Sequence, residues 1–135
     1  MSQNVLPTGW PSAPGYSEAR LTPLSGSLLT IAGQLGVSID HDPDAPVPSF
    51  VQQWEVSLQR VVDIVRAAGG EPESIMALRV YVTDLSEYGA SLRDLGRAYR
   101  DIIGRHQPAI TMLQVSALAS PAAKIEIEAV AVLER

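Results

Sequence analysis

The run from Lys124 to Val132 (KIEIEAVAV) constrains the fold of this chain more than any other feature. Its alternation predicts a β-strand, in which successive side chains point to opposite faces of a sheet. One face of this strand carries Glu126 and Glu128, followed by Val130 and Val132, whereas the opposite face is entirely apolar. Because burying a bare carboxylate is very costly, the two glutamates must line a cleft or have partners.

The length and the net charge of the chain limit the classes of protein to which it can belong. Its 135 residues suit one core, so we expect a single domain over residues 1–135, with an irregular, Pro- and Ser-rich lead-in over residues 1–14. Fifteen acidic and ten basic residues give a net charge of −5, which argues against a nucleic-acid partner. The absence of cysteine excludes disulfides and cysteine-ligated metals.

No stretch approaches the roughly 18 apolar residues that a membrane span needs, and the N-terminus lacks the features of a signal peptide. We therefore expect a cytoplasmic protein without a membrane partner.

Hydrophobic periodicity predicts the element order (β)β-α-β-α-β-β, an α+β fold with a mixed sheet and two helices on one face. The first helix is capped by Ser49 and ends before Gly69, and the second is capped by Asp84 or Ser86 and ends near Gly104. The predicted strands are Tyr16–Leu21, Leu28–Leu35, Ile75–Val82, Ile110–Val115 and Lys124–Leu133.

Two helices can cover only one face of such a sheet. The second face is too apolar for open water and too polar for a dry core, which predicts self-association with sites at the seams. Alternation assigns to this face Ala32, Arg79, Tyr81, Ile110, Met112, Gln114, Glu126, Glu128, Val130 and Val132.

Several short segments, in order and spacing, resemble the Rid family (reactive intermediate deaminases, also called YjgF or L-PSP-like proteins). They are LTIAGQ at 29–34, AAG at 67–69, VYVTDL at 80–85, PA at 108–109 and EIEA at 126–129. The resemblance implies a homotrimer of chorismate-mutase-like subunits with a cleft between each pair of neighbours. It also implies hydrolysis of reactive enamines and imines to a keto acid and ammonia, without a metal or an organic cofactor.

The same resemblance implies which residues line the cleft. Glu126 matches the carboxylate that assists the attack of water, and is the catalytic candidate. Tyr16 and Gly33 align with cleft positions, and the backbone of Gly33 and Gln34 is expected to face a ligand carbonyl. No metal ligand is predicted, since His41 and its neighbouring aspartates lack a metal-binding spacing.

The positions at which this chain departs from the family pattern are as informative as the positions at which it matches. Members with the deaminase activity have an arginine directly after Pro-Ala, where its guanidinium clamps the substrate carboxylate. Here that residue is Ile110, whereas Met112 stands where those members have a small polar residue or a cysteine, and Ala32 where they have a serine. The chain therefore resembles an arginine-less branch, in which Ile110 and Met112 form an apolar pocket floor that favours a less charged ligand.

Arg79 has two interpretations. A lone charge on a central strand is costly, so Glu128 is its natural partner and both would be structural. Alternatively, Arg79 replaces the missing clamp and binds the substrate. His106, at the end of the second helix, is better explained by the helix dipole than by catalysis.

The leading functional hypothesis is an imine or enamine hydrolase or a tautomerase, with Glu126 moving protons in a cleft between subunits. The alternative is a non-catalytic trimer that binds a small ligand. Nuclease activity, an older assignment for the family, is disfavoured by the negative net charge of the chain.

Overall fold

The computed structural model describes residues 2–134. Strands β3, β6, β4 and β5 form a sheet in that order, with β4 and β5 parallel and the other two pairs antiparallel. Strands β1 and β2 form a separate two-stranded ribbon. The elements are β1 Gln3–Val5, β2 Ala19–Leu21, β3 Ser27–Leu35, α1 Phe50–Ala67, a short 3₁₀ turn Pro72–Ser74, β4 Ile75–Val82, α2 Leu85–Ala90, α3 Leu92–Ile102, β5 Ala109–Gln114 and β6 Ile125–Leu133.

Helix α1 covers one face of the sheet and builds most of the core. It begins at a capping box, in which Ser49 Oγ accepts from the backbone of Gln52 at 3.1 Å and the Gln52 side chain accepts from the backbone of Ser49 at 2.9 Å. Gly69 follows its end with φ +93°, a conformation that favours glycine. The predicted bounds of this helix are confirmed. Its fully buried stripe is Leu58, Val61, Val62 and Val65.

Alternation along β6 is as predicted. Ile125, Ile127, Ala129 and Ala131 are buried beneath α1, and the residues between them are half-buried on the opposite side of the sheet. We call that side the open face, because no helix of the described chain covers it. The strand pairing places on it Leu28, Thr30, Ala77, Arg79, Tyr81, Thr111, Leu113, Glu126, Glu128, Val130 and Val132.

The assignment of β5 to the open face was wrong for Ile110, Met112 and Gln114, and Gln114 lies beside the core residue Val82. In the parallel pairing, Ile110 lies beside Leu78 and Met112 beside Val80, and both neighbours belong to the core. Both side chains pack partly against that core. Alternation shows that Ile110 and Met112 share a face, but only the register with β4 decides which face it is.

The second predicted helix is two helices. Asp84 caps α2, accepting from the backbone of Ser86 at 2.8 Å, and α2 ends at Ser91, which has φ −117° and ψ 10°. Helix α3 begins directly afterwards. The apolar stripe continues across Ser91, so periodicity does not reveal the break. Helix α3 packs against α1, whereas α2 buries none of its residues.

The N-terminal lead-in is not wholly irregular, because Gln3–Val5 pairs with Ala19–Leu21. The predicted edge strand at Tyr16–Leu21 is therefore shorter and joins this ribbon. Ser17 connects this segment to the main sheet, because it bridges to Ala109 and its backbone N–H donates to the carbonyl oxygen of Pro108 at 3.1 Å. Within residues 2–134, no helix is long and apolar enough to cross a membrane.

Candidate functional site

A pocket of about 310 Å³ opens on the open face of the sheet, where β3, β4 and β6 meet the loop after β5. We call it the acidic pocket, because both glutamates of β6 line it and no basic residue does. Its complete lining is Gly33, Tyr81, Val115, Ala117, Leu118, Glu126 and Glu128.

A bulge in β3 brings the backbone close to Glu126. Ile31 pairs with Ala129 and Gln34 with Ile127, so β3 carries one residue more than β6 over this stretch. Gly33 lies in the bulge, and a Cβ atom there would overlap the side chain of Glu126. The Glu126 side chain can therefore lie against this part of the backbone only because residue 33 is glycine and has no Cβ atom.

The two glutamates differ in their partners. The Tyr81 hydroxyl donates a hydrogen bond to Glu128. This bond, together with burial, raises the pKa of Tyr81 above its ordinary value, so the phenol stays protonated and keeps donating. Glu126 is also half-buried, but its carboxylate has no hydrogen bond or ion pair with any residue of the described chain. Glu126 is thus the carboxylate of this pair that is free to meet a ligand.

The expected ion pair between Arg79 and Glu128 is not formed. The two residues are directly opposite in the register of β4 and β6, but within residues 2–134 no ion pair joins them, and the Arg79 side chain is exposed. Tyr81 takes the place of Arg79 as the partner of Glu128, because its ring reaches diagonally across to the neighbouring strand. Arg79 lies outside the lining of the acidic pocket.

Gln53 of α1 positions the start of β6. Its fully buried side chain donates to the carbonyls of Pro48 at 3.1 Å and Ala122 at 3.0 Å, and accepts from the backbone N–H of Lys124 at 2.8 Å. Lys124 lies two residues before Glu126. The helix therefore determines where β6 begins, and through it the position of the catalytic candidate.

A second and larger cavity, of about 670 Å³, lies on the helix side of the sheet between α3 and β5. It contains the other cleft candidates: Tyr16, Ile110 and Met112. We call it the aromatic cavity after Tyr16, Trp54, Tyr88 and Tyr99, which also line it. The remaining lining residues are Pro14, Gly15, Leu92, Leu95, Gly96, Arg100, Gly104, Arg105 and Gln107.

The predicted site residues therefore fall into two groups within one chain. Gly33 and Glu126 share the acidic pocket, whereas Tyr16, Ile110 and Met112 share the aromatic cavity. The side chain of Gln34 belongs to neither, because it is buried and accepts from Arg60 of α1 at 2.9 Å.

Two features of these pockets escaped sequence reasoning. Tyr81 was assigned to the correct face, but alternation gave no sign that it would bind Glu128. The helical periodicity of α1 predicts only a core position for Trp54, although its side chain also lines the aromatic cavity. Both roles depend on neighbours that are distant in sequence.

The histidines take no part in either pocket. His106 Nε2 lies 2.6 Å from the carbonyl oxygen of Ile75 and must therefore donate to it. Burial is the main cause that lowers the pKa of His106, which keeps the ring neutral, so the expected interaction of a charged ring with the helix dipole is not supported. Within residues 2–134, no group of three or more His, Cys, Asp or Glu side chains is arranged to hold a metal ion.

Comparison with known proteins agrees with this architecture. A family model described as "Endoribonuclease L-PSP" matches residues 10–133. The Escherichia coli K12 protein named "Putative reactive intermediate deaminase TdcF" is 32% identical over 111 residues, covering 79% of this chain and 80% of TdcF.

Two crystal structures have the same fold. YyfB of Yersinia pestis, described as a protein of unknown function of the conserved Rid family, superposes with a TM-score of 0.79 at 32% identity over 98% of both chains. E. coli TdcF with bound serine superposes with a TM-score of 0.62 at 28% identity, over 98% of this chain and 99% of the TdcF chain. This chain belongs to the Rid family, also known as the YjgF or L-PSP family.

Proposed function

We propose that this protein is a cofactor-free enzyme of the imine or enamine deaminase type, or a related tautomerase, with Glu126 as its proton-transferring residue. The observation that carries this proposal is the state of the Glu126 carboxylate. It is half-buried, lies against the glycine of a β-bulge and has no protein partner in the described chain, while its neighbour Glu128 is held by Tyr81. A carboxylate in this state can exchange protons with a bound substrate.

In the hydrolytic reaction, water adds to the carbon of a C=N bond while Glu126 takes a proton from that water. Glu126 then returns the proton to the nitrogen, which gives a carbinolamine. As the C–N bond breaks, Glu126 takes the hydroxyl proton and passes it to the departing nitrogen, so the products are a carbonyl compound and ammonia. The carboxylate ends the cycle as it began. In a tautomerase, the same group would move a proton between the carbon and the nitrogen of an enamine.

The two pockets fit a site that is completed by a second copy of the chain. The uncovered open face mixes apolar and charged residues, which favours burial against other copies. A homotrimer would bring the acidic pocket of one subunit towards the aromatic cavity of the next. Light scattering at micromolar concentration is expected to give the mass of three chains, and a stable monomer would contradict this assembly.

The substrate is proposed to differ from the small 2-imino acids. Ile110 takes the place of the expected arginine, so the part of the substrate that contacts Ile110 and Met112 is uncharged. Losing a bidentate contact to a carboxylate costs on the order of 2–4 kcal/mol, which is roughly 30- to 1000-fold in rate. Turnover of 2-aminoacrylate, followed by trapping the product with semicarbazide, is therefore expected to be weak or absent.

The test of the proposed activity is a thermal-shift screen of small carbonyl and amino compounds, followed by ammonia release from the imines related to each hit. Enzymatic ammonia release that disappears in Glu126→Gln supports the proposal. The alternative, a trimer that binds a ligand without catalysis, is favoured by Ile110. It would be supported by hits that bind equally well to wild type and Glu126→Gln and whose imines are not turned over.

A further inference from the structure

The aromatic cavity has a charge pattern that the proposed reaction does not explain. Arg100, near the end of α3, and Arg105, just after it, both line the cavity. Within residues 2–134 neither guanidinium pairs with an acidic side chain, and no Asp or Glu is among the lining residues. Both guanidinium groups are therefore available to an anion from outside the chain.

The interior of the same cavity is apolar and aromatic. The rings of Trp54 and Tyr88 have centroids 6.4 Å apart and are inclined by 50°, which gives a tilted aromatic wall. The Tyr99 hydroxyl is occupied, since it donates to the carbonyl oxygen of His106 at 2.8 Å, so this residue offers the cavity its ring. A cavity with an aromatic body and a few charged groups is the common form of a small-molecule site.

One buried polar group in this wall lacks a partner. Trp54 is only 7% exposed, and its indole Nε1–H has no acceptor among residues 2–134. Indole N–H groups usually find an acceptor when they are buried, and an unmade hydrogen bond is costly. The orphaned donor belongs to a residue that lines the same cavity as the two unpaired arginines.

We propose that the aromatic cavity binds an amphipathic organic anion, whose apolar body packs against Trp54 and Tyr88 and whose anionic group binds Arg100 and Arg105. The uncharged segment of this ligand contacts Ile110 and Met112, and its anionic end is recognised by the end of α3 instead of by residue 110. The inference rests on the proposed function only in treating this ligand as the substrate. It narrows the substrate class to anions larger and more apolar than the small 2-imino acids.

Binding of naphthalene-1-acetate tests the inference, with naphthalene-1-acetamide as its uncharged counterpart. Affinity is measured by calorimetry. The indole N–H resonance of ¹⁵N-labelled protein reports on the site, because Trp10→Phe leaves Trp54 as the remaining tryptophan. The acetate is expected to bind more tightly than the acetamide and to shift the Trp54 resonance.

The double variant Arg100→Gln/Arg105→Gln is expected to weaken binding of the acetate by roughly five- to tenfold and to leave the acetamide unchanged, because exposed charge contacts are individually modest. Its matched control is Arg93→Gln/Arg97→Gln, which removes the same charge from parts of α3 that do not line the cavity. An equal loss in the control pair would show a long-range charge effect and overturn the assigned contacts.

A second pair of variants tests the location. A Cβ atom at Gly96 or Gly89 would meet nothing within 4 Å, but only Gly96 lines the cavity. Gly96→Leu is expected to weaken both compounds, and Gly89→Leu is expected to weaken neither. No binding of the acetate at millimolar concentration, or binding without a shift of the Trp54 resonance, would overturn the inference.

The experiments can disprove the proposed ligand site and the proposed activity independently of each other. Binding that requires Arg100 and Arg105, without turnover of any related imine, would support the site and count against the enzyme. Ammonia release that depends on Glu126, with no binding of the acetate, would support the enzyme and overturn this inference.

Discussion

The Tyr81 hydroxyl donates its hydrogen bond to Glu128 and not to Glu126, although Glu126 lies directly opposite Tyr81 in the pairing of β4 and β6. The bond therefore runs diagonally across the open face, at a separation that a tyrosine ring spans. Glu128 is therefore hydrogen-bonded to Tyr81, whereas Glu126 has no hydrogen-bond partner within residues 2–134. The division of roles between two otherwise similar carboxylates thus depends on a single phenol.

The first prediction is that the glutamine variants of the two glutamates behave differently. Glu126→Gln removes the proton-transferring group without removing a protein contact, so turnover should fall by roughly 100-fold or more with little change in melting temperature. Glu128→Gln replaces a charged acceptor by a neutral one and should cost about 1 kcal/mol of stability.

Tyr81→Phe is the matched control for this division, since it should reproduce the stability loss of Glu128→Gln. Melting temperature, light scattering and ammonia release would be measured for all of the variants. The roles are reversed if Glu126→Gln is the variant that loses stability and Glu128→Gln the one that abolishes turnover.

The second prediction concerns the bulge in β3. Gly33→Ala would place a Cβ atom where the Glu126 side chain now lies. The side chain can rotate away, so stability should change by less than about 1 kcal/mol, whereas displacing the carboxylate should lower turnover by roughly tenfold or more.

Gly89→Ala serves as its control, because the added methyl group enters open space on α2. It should stabilise the protein by up to about 1 kcal/mol and leave turnover unchanged. Unchanged turnover in Gly33→Ala would show that the contact between Gly33 and Glu126 does not position the carboxylate.

The third prediction is that Gln53→Leu is strongly destabilising. The change leaves the carbonyls of Pro48 and Ala122 and the N–H of Lys124 without their partner inside the protein. Orphaned buried groups cost about 1–3 kcal/mol each, so the total loss should be at least 2 kcal/mol in urea unfolding. Gln59→Leu, whose side chain bonds Asp63 on the exposed side of α1, should change stability by less than about 0.5 kcal/mol.

The fourth prediction is a pH dependence that arises from His106. Its pKa is lowered in the folded protein, chiefly by burial, so the unfolded chain takes up a proton first as the pH falls below about 6.5. His106 therefore contributes stability above that pH and loses it as the pH falls towards the folded-state pKa. The stability difference between wild type and His106→Gln, measured by urea unfolding at pH 7.5 and pH 5, should narrow at the lower pH. A difference that is constant or grows would contradict this assignment.

Local sequence patterns determined much of this protein. The cap at Ser49, the α1 stripe and the alternation of β6 depend on neighbours within a few residues, so local sequence predicts them. The order of Glu126 and Glu128 on one face, and the uncovered second face of the sheet, follow from the same periodicity. Family membership was also evident from segments in their correct order.

What only the tertiary structure decided depends on residues far apart in the chain. The face of Ile110 and Met112 is set by the register of β5 against β4, and the partner of Glu128 by the reach of Tyr81 across two strands. Side chains of α1, α3 and β5 line the aromatic cavity. Hydrophobic periodicity does not encode the distances between these elements. Periodicity states which side chains share a face, whereas packing between elements decides which face it is and what it meets.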